Sequence, residues 1–424
     1  MSAVLQEPAR ALPVFGDYDV VVVGGGPAGI AAAVSAARHG ARTLLVERYG
    51  FLGGMGTAGG VTNFAGLYGK RRGEMQQLVH GVADDLLARI DALGGLNKPQ
   101  DGMGGRIRVR SYDTSVYKIA ADQLMAAAGV ELLFHAWAAA VLMDGSRVQA
   151  LVVETKSGRQ AIRANAVIDA SGDADVAAFA GVPFAVGDGH GSGLFPTTMF
   201  RVGQVDAQPA LASVGEFKAI NERMAEVEAA KPGAYRFPRE GAILRPNIDP
   251  REWRANVTQI PRAERGRARG PPPDRRVLPL PEGRGAGFRA IGHRRDRAAG
   301  RPARNAPHRR RLRAGGRRHP LERPMEMHAD GRIEWAFPRD ADNAYNHLPW
   351  RMLVPQAVDN LLVAGRCASM THEGQSAARA SGGCFVMGQA AGTAAATLGS
   401  GRFSEVDVPA LQAKLRADGA DLDS

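Results

Sequence analysis

The chain has 424 residues, 45% of them hydrophobic, which is enough apolar material for two or three domains and excludes a chain disordered throughout. Its two cysteines, Cys367 and Cys384, form no C-x-x-C and no metal-ligand spacing, which argues against a disulfide framework or a zinc site and for a reducing compartment. The net charge of +11 is concentrated in one tract, Pro261 to Arg323, which carries +15 and leaves the remainder at about −4, so a uniformly basic surface is excluded.

The N-terminal residues up to Asp17 show no basic segment followed by an apolar run, so no secretory signal is visible and the cytoplasm is the default location. The next stretch, DVVVVGGGPAGIAAAVSAARHGARTLLVE from Asp19 to Glu47, organises the rest. Val20 to Val23 predict a strand buried on both faces, and the glycines after it mark a tight turn into a helix beginning at about Pro27. Gly24, Gly26 and Gly29 fit G-x-G-x-x-G. The first glycine permits the turn, the second lets main chain approach a pyrophosphate, and the third lets helix pack on strand. Small residues from Ala28 to His39 lead through Gly40 to a second strand, Thr43 to Val46. It ends on Glu47, 18 residues past Gly29, where a carboxylate can accept hydrogen bonds from both ribose hydroxyls of an adenosine. The competing reading is a Gly-rich turn in a flavodoxin-like sheet that binds no nucleotide.

The loop RYGFLGGMGTAGGVTNFAGLYG follows, too long and too apolar for a simple linker, and is expected to wrap a ligand or else to be a Gly-rich surface loop. Glu74 to Leu93 has helical periodicity in Leu78, Val79, Val82, Leu86, Leu87 and Ile90, and stops at Gly94-Gly95. A helix from about Val116 to Ala128 stops at Gly129 and feeds a strand, Val130 to Phe134. Ala138 to Met143, Val148 to Thr155 and Gln160 to Ile162 predict an antiparallel meander, after which Ala166 to Ala170 returns as a separate buried strand. Asp173 and Asp175 then either belong to a site or cap the helix in DVAAFAG. From Gly181 to Ile260 the pattern loosens around one helix, Val214 to Ala230.

Pro261 to Arg323 holds 20 arginines, no lysine and five acids. It has charge for phosphate contacts but almost no aromatic to stack on bases, which disfavours nucleic acid as a partner. Its Pro, Gly and Arg content suits a disordered insertion. Translation of a GC-rich gene in the wrong frame also produces such composition. Order resumes at Met325 with MEMHADGRIEWAF. Leu361 to Ala364 then reads as a strand, Gly365 as a turn, and a small-residue helix runs from about Ser381 to Thr397, with a short amphipathic helix at Val408 to Leu415. Cys384 stands at a helix N-terminus, which favours a thiolate, but without a partner cysteine it reads as a small packed residue.

The N-terminal unit, the GGMGT loop, VIDASGDADVAAFAG and NLLVAGRCASMTHEG…GQAAGTAAA, taken together and in this order, resemble FAD-dependent oxidoreductases of the glutathione-reductase-like flavoprotein superfamily. The resemblance covers most of 17–260 and 325–420. It implies an α/β fold: a discontinuous Rossmann-like FAD-binding domain from residues 17–180 and 346–424, with a smaller α+β substrate or cap domain at 181–345. It further implies that Gly24, Gly26, Pro27, Ala28 and Gly29 hold the pyrophosphate of FAD and that Glu47, with Arg48 beside it, takes the adenosine ribose. Helix N-terminal N–H groups favour a doubly charged pyrophosphate, so the residues agree with the resemblance. Gly53, Gly54 and Met55 resemble the loop laid along the cofactor. Ala170, Ser171, Gly172 and Asp173 resemble a strand end beneath its nucleotide half, where a side chain at position 172 is expected to push the cofactor away. Gly365, Arg366, Gly382 and Gly383 are expected near the flavin, where a helix N-terminus favours the charge of the reduced ring. His372 either moves a proton while flavin takes a hydride or is a solvated loop histidine.

The frame reading fits the resemblance: ARNAPHRRRL at Ala303 to Leu312 can be encoded so that the next frame yields RETRRIVGDY, which looks like a motif of the same subgroup. The expected activity is hydride transfer between a small organic substrate and flavin N5. The alternatives are an inactive or structural flavoprotein, because of the disrupted middle, and a basic nucleic-acid binder. No second strand–G-x-G-x-x-G–helix unit occurs, so a dedicated NAD(P)H domain is not expected. Neither the electron acceptor nor the oligomeric state has a signature here, no apolar stretch reads as a membrane span, and no metal site is expected.

Overall fold

Four successive valines leave a strand no polar face to turn toward water, so both of its sides must be covered. That strand is β1 (Val14–Val23), where Val20 and Val22 enter one apolar core and Val21 and Val23 another. Helix α1 (Pro27–Arg38), with proline in its first turn, returns the chain to β2 (Thr43–Val46), which pairs in parallel with β1. The computed structural model describes residues 5, 9–102, 105, 107–184, 197, 199–212, 217–230, 243–256, 345–370, 374–375, 378–399 and 401–422. The arginine tract, the resumption at Met325 and His372 lie outside the described residues.

After β3 (Asn63–Phe64) the chain departs from the sequence expectation. Glu74 to Leu93 is not one helix: β4 (Tyr68–Arg71) and β5 (Glu74–Gln77) form a hairpin, and only α2 (Val82–Ala92) is helical. Arg72 and Gly73 both have positive φ, 54° and 83°, the geometry of a two-residue turn that matches strand twist, and Gly81 at 73° separates the hairpin from the helix. Periodicity alone could not see that break. β6 (Gln100–Gly102) and β7 (Ile107–Ser111) join β3 in a small antiparallel sheet. Asp113 caps α3 (Thr114–Ala128), its carboxylate accepting the N–H groups of Ser115 and Val116 at 2.7 and 3.0 Å. The helix delivers β8 (Glu131–Leu133) to the outer side of β2.

The meander forms as β9 (Trp137–Asp144), β10 (Arg147–Thr155) and β11 (Gly158–Asp169). Here too the expectation is corrected, because Gln160–Ile162 and Ala166–Asp169 belong to one uninterrupted strand. The polar residues between them need no turn: Arg163 donates to Asp17 at 3.0 Å and Asn165 to Asp19 at 3.1 Å, both on the neighbouring β1. β11 therefore pairs antiparallel with β10 near its start and parallel with β1 along most of its length.

Beyond α4 (Asp175–Phe179), the segments β12 (Phe200–Val202), α5 (Ala207–Ala212), α6 (Phe217–Ala230), β13 (Ile243–Pro246) and β14 (Trp253–Asn256) add a second antiparallel sheet in the order β12-β14-β13. The chain then rejoins the first sheet. β15 (Leu361–Val363) pairs in parallel with β11, Leu361 opposite Val167, completing a mixed seven-stranded sheet. The helices α7 (Ser381–Leu398) and α8 (Val408–Ala417) follow. Among the described residues, no helix is long and apolar enough to cross a membrane.

α7 lies against α1 at backbone distance. A Cβ on Gly388 would overlap the carbonyl oxygen of Ala28, and one on Gly392 that of Ala32, so the four-residue spacing of the two glycines matches the four-residue spacing of the alanines. Alanine is the better helix former by about 1 kcal/mol, yet forcing a methyl into this contact costs about 1–3 kcal/mol. Gly388→Ala and Gly392→Ala are therefore expected to lower the melting temperature, whereas Gly203→Ala, with nothing within 4 Å, is expected to leave it unchanged; thermal unfolding of the three variants checks this.

Candidate functional site

The β1–α1 turn is crowded beneath and open on one side. Gly24 has φ 102°, and a Cβ there would stand 2.5 Å from the carbonyl oxygen of Ala170; a Cβ on Gly29 would overlap the carbonyl oxygen of Gly24. At Gly26 the same construction meets only the Cα of Gly54, at 3.8 Å. No side chain caps α1, and Pro27 contributes no N–H, which leaves the helix end available to a ligand. The loop after β2 closes over the turn: the Gly53 N–H donates to the Gly25 carbonyl at 2.8 Å, and a Cβ on Gly54 would lie 2.8 Å from the Cα of Gly26. Met55, next in this loop, is exposed.

Glu47 is buried at the end of β2. One carboxylate oxygen accepts the Gly25 N–H at 2.6 Å and the other the Tyr49 N–H at 2.9 Å. Burial raises its pKa above the usual glutamate value, and these N–H donors oppose the rise. Each oxygen keeps a further lone pair for another donor. The Arg48 guanidinium rests over the rings of Tyr49 and Trp137, at 5.0 and 5.5 Å from their centroids.

At the end of β11, Asp169 is fully buried and organises the next loop. It accepts from the Ser171 N–H and hydroxyl at 3.1 and 2.7 Å and from the Ala177 N–H at 3.0 Å. Neither Asp173 nor Asp175 caps α4, whose N-cap is Ala174 without a side-chain bond. The Cys367 sulfur accepts the N–H groups of Gly172 and Ala174 at 3.0 and 3.3 Å. Burial, reinforced by Asp169, pushes this thiol well above its ordinary pKa. A Cβ on Gly172 would first meet the Arg366 guanidinium, at 2.7 Å, so what glycine makes room for in the protein itself is an arginine. Arg366 donates to the Gly172 carbonyl and lies 3.5 Å from Asp173. The sequence reading did not single out Asp169, and took Cys367 only as one of two cysteines without pairing or metal spacing, because a lone acid at a strand end and a lone thiol carry no spacing signal.

The C-terminal segments converge on the same place. Gly365 has φ 70°, and a Cβ there would lie 2.8 Å from the Cβ of Ala28 at the start of α1. A Cβ on Gly382 would overlap the carbonyl oxygen of Gly66, and one on Gly383 would lie 2.5 Å from that of Ala378. The Ser381 hydroxyl both accepts from the Ala65 N–H and donates to its carbonyl, at 2.9 and 3.0 Å. Buried aromatics back this junction: Phe64 lies 4.3, 5.3 and 6.0 Å from Tyr112, Tyr117 and Phe385.

A sequence profile described as FAD dependent oxidoreductase matches residues 19–268 and 322–415. The chain belongs to this family. Its fold and cofactor class are those of that family. Among curated relatives, a dihydrolipoyl dehydrogenase from Trypanosoma brucei brucei is 58% identical over 45 residues, 11% of this chain and 9% of that one. A thiamine thiazole synthase from Sulfolobus acidocaldarius is 32% identical over 179 residues, 39% of this chain and 60% of that one. Both alignments span less than two thirds of the relative's own length. Among solved structures, a flavocytochrome c3 fumarate reductase in its open conformation aligns over 90% of this chain and 78% of that one, with 13% identity and a TM-score of 0.43.

The residues present fit FAD. The open side of Gly26, the uncapped end of α1 and the residual lone pairs of Glu47 suit a pyrophosphate and a ribose, while the junction of Gly365, Gly66 and Gly382 brings the C-terminal segments of the flavoprotein beside them. Cys384 takes no part as a thiolate. Its thiol donates to the Arg379 carbonyl at 3.4 Å and burial pushes its pKa up to about 12. At pH 8 roughly one such group in ten thousand is ionised. Native protein is expected to leave both thiols unmodified by iodoacetamide at pH 8 and to expose two after denaturation; peptide mass spectrometry reads the difference.

Proposed function

We propose that this chain holds FAD with Gly24, Gly26, Pro27, Ala28, Gly29, Glu47, Arg48, Gly53, Gly54, Met55, Gly172, Asp173, Gly365, Arg366, Gly382 and Gly383, and exchanges hydride between a small organic substrate and flavin N5. In this reading 17–180 and 346–424 are the FAD-binding domain and 181–345 the cap. The observation that carries it is the convergence of distant segments with no room for a side chain between them: Gly54 on Gly26, Gly365 on Ala28 and Gly382 on Gly66.

The bound cofactor supplies a two-electron hydride acceptor. The end of α1 favours the two negative charges of a pyrophosphate, and Glu47 accepts hydrogen bonds from ribose hydroxyls. Arg366, held against Gly172 and Asp173, adds a partly exposed positive charge that favours an anionic group nearby. The N-terminal end of α7 acts in the same sense. A second reading, an inactive flavoprotein, is favoured by one observation: the family match passes over residues 269–321, which lie inside the arginine tract. An out-of-frame segment there removes substrate-binding residues while leaving the FAD residues intact.

Purified full chain is expected to be yellow, with Glu47→Ala and Gly26→Trp losing most of the bound flavin; a full complement in both variants refutes the assignment. Burial raises the Glu47 carboxyl and ribose donors favour its ionised form, so FAD affinity is expected to fall as pH drops through a value above the ordinary glutamate range. Glu47→Gln removes that dependence, as titration of the apoprotein with FAD at several pH values measures. Anaerobic bleaching of the flavin by a member of a panel of small organic substrates supports the enzyme; a yellow protein that no compound bleaches, with codons 260 to 325 resequenced and unchanged, supports the inactive reading.

A further inference from the structure

The second sheet, β12-β14-β13, carries three arginines in one row. Arg201 stands opposite Arg254, and Arg254 opposite Arg245, so all three side chains leave the same face. Like charges directly opposed across strands are destabilising unless an opposite charge lies among them. Arg201 has one, since its guanidinium meets Glu252 at 3.1 Å and also donates to the Thr114 hydroxyl.

The other two have none among the described residues. Arg254 is 5% exposed and Arg245 6%, and among the described residues neither forms an ion pair. Arg254 reaches only the Met199 sulfur, at 3.8 Å, and its Nε has no hydrogen-bond partner. The neighbouring acids are engaged elsewhere: Glu252 with Arg201 and with Asn247 at 2.6 Å, Asp101 with Arg108 at 2.6 Å. Burial, and then the proximity of Arg245, lower the Arg254 pKa to about 10, which still leaves it charged at neutral pH. A buried guanidinium nitrogen with no partner, beside a second guanidinium and with no counter-charge among the described residues, is costly, and an anionic ligand would offset that cost.

The pair backs onto the loop that continues from the glycine cradle. Thr62 donates to Asn247 at 2.9 Å, one residue past the end of β13. The Tyr112 hydroxyl, within electrostatic reach of Arg254, lies 3.0 Å from both the Gly56 and the Val61 carbonyl oxygens and shares its proton between them. A Cβ on Gly60 would touch Met199 at 3.6 Å, and Gly102 has no room for one beside the Arg245 guanidinium. We propose that Arg245 and Arg254 form the anion-binding end of the substrate site, so that the substrate is a small organic acid whose carboxylate is held by paired guanidinium forks. This rests on the reading of the chain as a flavin enzyme with a small-molecule substrate. The depth of the pair favours a small planar oxyanion over a polymeric phosphate backbone, and the fork geometry of guanidinium matches a carboxylate.

Thermal unfolding of the full chain in low salt tests the proposal, with acetate, succinate and benzoate as probes, their amides as neutral controls and inorganic phosphate as a competitor. At least one carboxylate is expected to raise the melting temperature saturably while its amide does not. Arg245→Met and Arg254→Met are expected to weaken that response at least about tenfold, to keep wild-type flavin content, and to melt at or above the unliganded wild type because a buried repulsion is gone. A wild-type protein that no carboxylate stabilises, a response undiminished in both variants, or a larger response to phosphate than to any carboxylate overturns the proposal. The wild-type titration decides even where a variant does not fold. Flavin absorbance on the same samples separates the two readings: a colourless protein with an arginine-dependent response supports the anion site and refutes the flavin assignment, whereas a yellow protein without one refutes the anion site alone.

Discussion

The contact on which this architecture depends is that between α1 and α7, made by main chain rather than by interlocking side chains. Gly388 and Gly392 let one helix lie on the carbonyls of Ala28 and Ala32 in the other. Because the two contacts advance in the same direction along both helices, α1 and α7 run parallel, and the start of α7 projects beyond the start of α1. That projection brings Gly382 to Gly66 and lets Gly365 sit against Ala28. Larger residues in this seam would separate the segments that converge there, so the candidate site is a consequence of how closely two small-residue helices can pack.

The same region keeps several ionisable groups out of water, and main-chain N–H groups do most of the solvation. Glu47 takes donors from Gly25 and Tyr49; Asp169 from Ser171 and Ala177; the Cys367 sulfur from Gly172 and Ala174. Such donors are fixed by the fold and cannot reorient, which makes them a preorganised environment for charge. Arg245 and Arg254 stand in contrast, with no comparable set of acceptors among the described residues.

Much of this was legible in the sequence where local chemistry decided the outcome. β1, α1 and β2 follow from four valines, a glycine turn and a terminal acid, because each of those residues acts on its immediate neighbours. The helix expected over Glu74 to Leu93 failed for a nonlocal reason: β5 is held by pairing with β4, which outweighs the helical spacing of the apolar residues. The break expected within β11 failed because Arg163 and Asn165 find acids on β1 that no reading of β11 alone could supply. In the site, glycine positions were visible as a motif, but the partner of Gly172 was not, since Arg366 reaches it from nearly two hundred residues away. The row of arginines was equally hidden, because its members become neighbours only through the strand register.

β15 has a further bearing on how the molecule comes into being. Its place beside β11 is filled by residues that follow that strand by nearly two hundred positions, and the helix covering α1 comes later still. During synthesis the ribosome therefore delivers β1, α1 and β11 long before their last partners exist. The nascent chain carries an unpaired edge on β11 and an alanine-rich face of α1 until those partners are made, a contact order that slows folding. The sheet is complete only once the late-arriving strand and helix have docked.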